Sequence, residues 1–311
     1  MTSLSHRTPE LETIVQTLVA GLLVGGIYAL ISVGLALIFG IMRVVNFAQG
    51  EFMMLGMYFV FYVFTAWGIF AVFGVVLGPI LAALAAGPVL FALGWFIHRL
   101  VIGRVSGTRR GGHDAQLLVT LGISLILQNL GLIVFGATPV AVLTPLSSQA
   151  LAVGPILINE ARAVACVLAI VLTILLTLFL NRTRQGKQLR AAADNPEAAT
   201  YVGIDVSRAH ALAFAIGIAL TAIAGGLVAT YYPLQPYVGQ DFVIIMFVAV
   251  VLGGLGSVTG AFWGGLILGL VQQMANLVVD PQLQNVVIFV LFLLVLYVRP
   301  QGLLGRLSIR V

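Results

Sequence analysis

ETIVQTLVAGLLVGGIYALISVGLALIFG, residues 12–40, decides which solvent this chain lives in. After Glu12 it carries no charged residue, and Leu, Val, Ile, Ala and Gly fill most positions. A membrane-crossing helix needs about 20 mostly apolar residues. This run is longer than that, with room for one span plus a broken segment. Runs of the same character follow at 52–75, 78–97, 115–136, 161–180, 209–231, 242–254, 261–278 and 284–298. Of 311 residues, 61% are hydrophobic and 8% charged, against roughly 45–50% apolar in soluble domains. The runs lack the alternation of membrane barrel strands. They predict an all-α polytopic membrane protein with about eight to ten transmembrane helices, some of them broken. The 35 glycines fit this setting, because small residues let membrane helices approach closely.

Basic residues fall into three clusters: Arg99, Arg104, Arg109 and Arg110; Arg182, Arg184, Lys187 and Arg190, closed by Arg208; and Arg299, Arg306 and Arg310. The positive-inside rule places all three in the cytoplasm. Segments 137–160 and 232–241, and the tip near Asp280, carry almost no Lys or Arg and face outward. Nine spans that start outside and end inside satisfy this arrangement. Residues 1–11 form a short tail containing Pro9 and Glu10. It does not resemble a cleaved secretory signal, so the first span is expected to be retained.

Several chemistries are disfavoured by residue type and spacing. Cys166 is the sole cysteine, and no Ser/His/Asp or Cys/His grouping has a catalytic or metal-ligand spacing. The only lysine is Lys187 and no P-loop is present, so the chain does not hydrolyse ATP by that mechanism. The stretch GRVSGTRRGG, residues 103–112, lacks that lysine and a preceding strand, and reads as a cytoplasmic linker. His98, His113 and His210 fall at loop edges and read as solvated. The net charge of +5 is split among membrane-flanking loops, which points to membrane lipid and not to nucleic acid. No catalytic, cofactor or metal residue is assigned.

Two apolar regions are interrupted by glycine and polar residues: GIMRVVNFAQGEFMMLG, residues 40–56, and VVLGGLGSVTGAFWGG, residues 250–265. Paired interruptions are pointers to a substrate path, because unwound backbone at membrane depth needs protein or a wet cavity to satisfy it. Path candidates are Asn46, Gln49, Gly50 and Glu51 in the first, and Gly253, Gly254, Gly256 and Ser257 in the second. Glu51 has two readings. It lies along a polar pathway, or it is interfacial, pairing with Arg43 or capping a helix.

RAAADNPEAATYVGID, residues 190–205, is a polar island. Asn195 suits an N-cap, Pro196 the first helical position, Glu197 the positive helix end, and Gly203 the stop. The short helix so defined presents Ala198, Tyr201 and Val202 on one apolar face. That face docks against this chain's own spans or against a partner.

NRTRQGKQLRAAADNPEAATYVGIDVSRAHALAFAIGIALTAIAGGL (181–227), with VVNFAQGE upstream and VAVVLGGLGSVTGAFWGGLILG and RPQGLLG downstream, resembles the permeases of branched-chain amino acid ABC importers, specifically the LivH type. The resemblance runs from about residue 20 to 305. It implies an ABC importer permease fold as a single transmembrane domain over 1–311, in the bacterial inner membrane. Implied partners are a second, related permease of the LivM type, two cytoplasmic ABC ATPases and a periplasmic substrate-binding protein. The loop 181–208 becomes the coupling element seated in an ATPase, with Arg190, Asp194, Asn195, Pro196, Glu197, Ala198, Ala199, Tyr201 and Gly203 as its candidate residues. The implied cargo is a branched-chain amino acid. Related permeases serve urea, amides or other small polar solutes, and an energy-independent channel or carrier is the alternative from another class. The outward loop 136–163 is either a docking surface for the binding protein or an ordinary connection.

Overall fold

The apolar runs are mainly helical in the computed structural model, which describes residues 7–106, 112–154, 156–280 and 283–305, and the run 52–75 is broken at Trp67–Ile69. The main helices are α1 (Arg7–Met42), α2 (Gln49–Val60, prolonged by a π-turn over Phe61–Ala66) and α3 (Gly74–Ile97, prolonged by a π-turn over His98–Ile102 and a last α-helical turn over Gly103–Ser106). They continue as α4 (Gly112–Phe135), α5 (Glu160–Arg182), α6 (Arg184–Asp194), α7 (Pro196–Tyr201) and α8 (Val206–Val228), then α9 (Val238–Gly253), α10 (Val258–Ala275) and α11 (Gln284–Val298). Among the described residues six helical stretches are long and apolar enough to cross a membrane, while α9 and α11 are shorter apolar helices. The first run is one uninterrupted helix that starts inside the expected tail, so the break anticipated within it is absent. At 1.5 Å per residue α1 is about 54 Å long, well beyond a hydrocarbon core of about 30 Å.

The polar contacts sort the helix ends into two groups. Arg43, just past α1, reaches the carbonyl of Ala193 at the end of α6, and Gly40 lies against Gly256 in the turn between α9 and α10. Arg99 and Arg104 share a cavity with Arg208, and the backbone N–H groups of Leu303 and Leu304 bond the carbonyls of Leu252 and Gly253. The described members of all three basic clusters therefore gather at one end, as the positive-inside rule requires. Arg109, Arg110, Arg306 and Arg310 lie outside the described residues. At the other end a hairpin, β1 (Ala150–Val153) against β2 (Ile156–Asn159), is antiparallel with Ala150 opposite Asn159. Gln16 of α1 pins it by accepting from Leu157 N–H at 2.9 Å and donating to the Leu157 carbonyl at 2.6 Å. The outward loop 136–163 is thus partly ordered by its own strands.

α1 and α8 form the centre: 83% of each apolar window is buried, against 17% in α4. The two cross at glycines. A β-carbon on Gly34 would come within 2.7 Å of the Gly217 carbonyl, and one on Gly217 within 2.6 Å of the Gly34 carbonyl. α10 packs along α1 and α3 along α8. The molecule is therefore built twice on one plan in opposite directions. α1 runs inward, breaks, and α2 returns outward. α8 runs outward, breaks, and α9 returns inward. Inverted repeats of this kind are a recurrent transporter architecture.

Candidate functional site

The first break opens at Arg43, which adopts the left-handed conformation (φ 56°) while its N–H still bonds the Phe39 carbonyl. For a residue with a side chain this costs about 1–2 kcal/mol, and it ends α1 decisively. The next residues satisfy their polar groups internally. Asn46 Oδ1 accepts from Ala48 N–H at 3.2 Å, and Asn46 Nδ2 donates to Gln49 Oε1 at 2.8 Å. Gln49 Nε2 donates to Thr221 Oγ1 at 2.5 Å and to the Gly217 carbonyl at 3.2 Å. Gly217 lies midway along α8, so the N-terminus of α2 sits near the middle of the span and not at the headgroups.

Glu51 is at the same depth. Its Oε1 accepts from Ser124 Oγ, midway along α4, at 3.3 Å, while its buried Oε2 has no hydrogen-bond partner among the described residues. Asn46, Gln49 and Glu51 are each 1% exposed. The pairing with Arg43 is not made, because Arg43 bonds Ala193 instead and Glu51 is held by α4, while Glu51 does lie in the first turn of α2. Gly50 brings α9 into place: its backbone touches Gly239 at the start of that helix, and no β-carbon fits at either position. Two half-helices thus meet by their N-terminal ends near mid-depth. Helix N-termini carry partial positive charge and backbone donors, and transporters aim them at anionic groups of their cargo.

The counterpart of the break at 43–48 is therefore 229–237, and not 250–265 as the sequence led us to expect. Gly253, Gly254, Gly256 and Ser257 belong instead to the cytoplasmic turn between α9 and α10. There Ser257 Oγ caps α10 by accepting from Gly260 N–H at 3.0 Å. Gly254 (φ 106°) lies under the terminal RPQGLLG segment, where a β-carbon would come 2.6 Å from Gly305 N. The true counterpart is visible in hindsight. Residues 48–52 read AQGEF and residues 238–242 read VGQDF, which aligns Glu51 with Asp241. Gln240 and Asp241 are exposed at the start of α9, at the depth of Gly50. Sequence reasoning missed them, because the flanking YYPLQPY looks like an ordinary outer loop.

In the cytoplasmic pair α6–α7, α7 is built as its residues predict, and α6 precedes it as a separate helix. Thr183 caps α6 by accepting from Gly186 N–H at 3.0 Å, and Gly186, Leu189 and Ala192 form its buried face. Asn195 Oδ1 accepts from Ala198 N–H at 3.0 Å and Pro196 opens α7. At the far end Gly203 (φ 81°) donates to the Thr200 carbonyl and Ile204 to the Ala199 carbonyl, which is the double bond of a Schellman stop. Ala199 faces inward at 3% exposure, whereas Tyr201 is 88% and Val202 75% exposed, with Ala198 exposed beside them. The apolar face does not dock on this chain's own spans. Arg190, Asp194 and Glu197 are exposed as well, while Ala192, between Arg190 and Asp194, is buried.

The expectation that His98 is solvated is overturned: it is 2% exposed, with its ring 5.6 Å from that of Phe214. His210 is only partly exposed, and the side chain of His113 lies outside the described residues. Among the described residues no three His, Cys, Asp or Glu side chains are grouped to hold a metal.

The family described as "Branched-chain amino acid transport system / permease component" matches residues 17–296. The chain belongs to this permease family. It is 34% identical over 300 residues to the high-affinity branched-chain amino acid transport system permease protein LivH of Escherichia coli K12, covering 94% of this chain and 95% of that one. It is also 34% identical to BraD of Pseudomonas aeruginosa over 303 residues, 96% and 98% of the two chains. A probable LivH of Methanocaldococcus jannaschii is 30% identical over 257 residues, 79% and 76%. No solved structure matches the chain. As a branched-chain permease family member, it is a multi-pass inner-membrane transport subunit and not an enzyme.

Proposed function

We propose that this permease carries branched-chain amino acids inward, as one half of a path completed by a second, related permease. The observation that carries the reading is the meeting of α2 and α9 by their N-terminal ends near mid-depth, with Gln240 and Asp241 open on that level. Polar side chains at that depth do not face hydrocarbon without heavy cost, so they face the path or the partner permease. Asn46, Gln49, Gly50 and Glu51 hold the lining in shape, and the turn of Gly253, Gly254, Gly256 and Ser257 forms its cytoplasmic mouth. A zwitterionic amino acid suits the site: helix N-termini receive its carboxylate and Asp241 its ammonium group.

The whole of 1–311 acts as one transmembrane domain, and 181–208 couples it to two cytoplasmic ATPases through α7. The outward hairpin receives a periplasmic binding protein. The test is uptake of radiolabelled leucine, isoleucine and valine by proteoliposomes holding the permease pair, its ATPases and its binding protein. Unlabelled urea and acetamide serve as competitors. ATP-dependent leucine uptake that urea and acetamide leave untouched is expected. Uptake of urea or acetamide without leucine, or uptake without ATP, overturns the proposal.

A further inference from the structure

At the cytoplasmic end the extension of α3 and the first turn of α8 enclose a cavity of about 470 Å³. Trp95, His98, Arg99 and Arg104 line one side, and Asp205 and Arg208 the other. A π-turn puts two arginines on one wall. Gly103 N–H donates to the His98 carbonyl, five residues back. In a regular α-helix residues five apart point about 140° away from each other, whereas the wider turn brings Arg99 and Arg104 toward one face. Three guanidinium groups thus meet a single lining carboxylate. That carboxylate is already engaged, since Asp205 Oδ1 accepts from Arg208 N–H at 3.0 Å. The positive end of α8 adds to the same field. His98 adds little to the lining, being 2% exposed and packed against Phe214.

The surroundings select the source of the anion. Next to the cavity, Phe96 is 60%, Leu100 39% and Val101 41% exposed, an apolar surface where this helix leaves the membrane. A free phosphate gains nothing from those side chains, whereas acyl chains cover them. Basic pockets between helices on the cytoplasmic side suit anionic headgroups. We infer that this cavity binds the phosphate of an anionic phospholipid of the inner leaflet, with Arg99, Arg104 and Arg208 as its ligands. The lipid would brace the end of α3 against the start of α8, directly beside the coupling pair.

The test is native mass spectrometry of the purified permease complex titrated with dioctanoyl phosphatidylglycerol or dioctanoyl phosphatidylcholine. The wild type is expected to prefer phosphatidylglycerol by at least about tenfold. Arg99→Gln/Arg104→Gln/Arg208→Gln should lose that preference, while Arg182→Gln/Arg184→Gln, basic residues outside the cavity, should keep it. Equal affinity of the triple variant and the wild type overturns the site. Displacement of the lipid by equimolar inorganic phosphate overturns the lipid source. If the triple variant does not accumulate, Arg208→Gln alone and the salt dependence of the wild type decide: preference unchanged by both overturns the inference.

Discussion

The guanidinium of Arg43 donates a 3.2 Å hydrogen bond to the carbonyl oxygen of Ala193, joining the start of the break at 43–48 to the last turn of α6. A cation at a helix C-terminus is favourable by about 0.3–1 kcal/mol at an exposed site, so the bond contributes little to stability. Its position matters more. It ties the last turn of α6 to the segment that carries Asn46 and Gln49, so a displacement of α6 would pull on that segment.

Arg43→Gly should therefore insert and assemble normally, because glycine relieves the left-handed backbone while deleting the bond. Substrate carried per ATP hydrolysed, measured in proteoliposomes, should fall several-fold. An unchanged ratio would show that the coupling pair and the break move independently.

Gly50 and Gly239 are backbone to backbone, so a side chain at either forces two half-helices apart. Overpacking of this kind costs about 1–3 kcal/mol or more. Gly50→Leu and Gly239→Leu should each reduce the amount of folded permease in membranes, read by detergent-resistant fluorescence of a fused reporter. Gly122→Leu is the control, since a β-carbon there meets nothing within 4 Å, and it should accumulate as wild type. Equal accumulation of all three would mean that the contact at mid-depth is not rigid.

How much of this was legible beforehand depended on how local the cause is. α7 could be read residue by residue, because Asn195, Pro196 and Gly203 fix its ends through bonds to near neighbours. The first break was legible from its polar residues for the same reason. Its depth was not, since that is set by Gly217, Thr221 and Ser124, each more than 70 residues away in the chain. The second break was hidden by composition: prolines and tyrosines at 231–237 resemble a surface turn, and only the backbone contact with Gly50 reveals its role. The glycines at 253–256 looked like a membrane break but answer to the terminal segment folded over them.

That last relationship can be tested directly. Gly254 has a φ of 106° and lies against Gly302 and Gly305, so Gly254→Leu combines backbone strain with a clash. The variant should lose folded protein and not transport alone. Gly302→Leu should do the same, because its β-carbon would come 2.5 Å from Gly254 N. Normal accumulation with lost uptake would show that Gly254 acts at the mouth of the path and not through this packing.

α7 offers the sharpest separation of roles, because its two faces are so different. Ala199 is buried, while Ala198, Tyr201 and Val202 are open to a partner. If the open face enters an ATPase groove, Ala198→Arg places a bulky cation in a desolvated contact, where an unpaired charge costs about 3–5 kcal/mol. Arginine is a good helix former and the caps at Asn195 and Gly203 are untouched, so the helix itself should survive. Insertion and pairing with the second permease should be normal, while copurification of the ATPases in detergent, and uptake with it, should disappear. Ser207→Arg, exposed but beyond α7, should retain the ATPases. Ala199→Arg should instead reduce accumulation of the permease, since it forces the charge into this chain's own packing. Retention of the ATPases by Ala198→Arg at the level of Ser207→Arg would remove α7 from the docking surface.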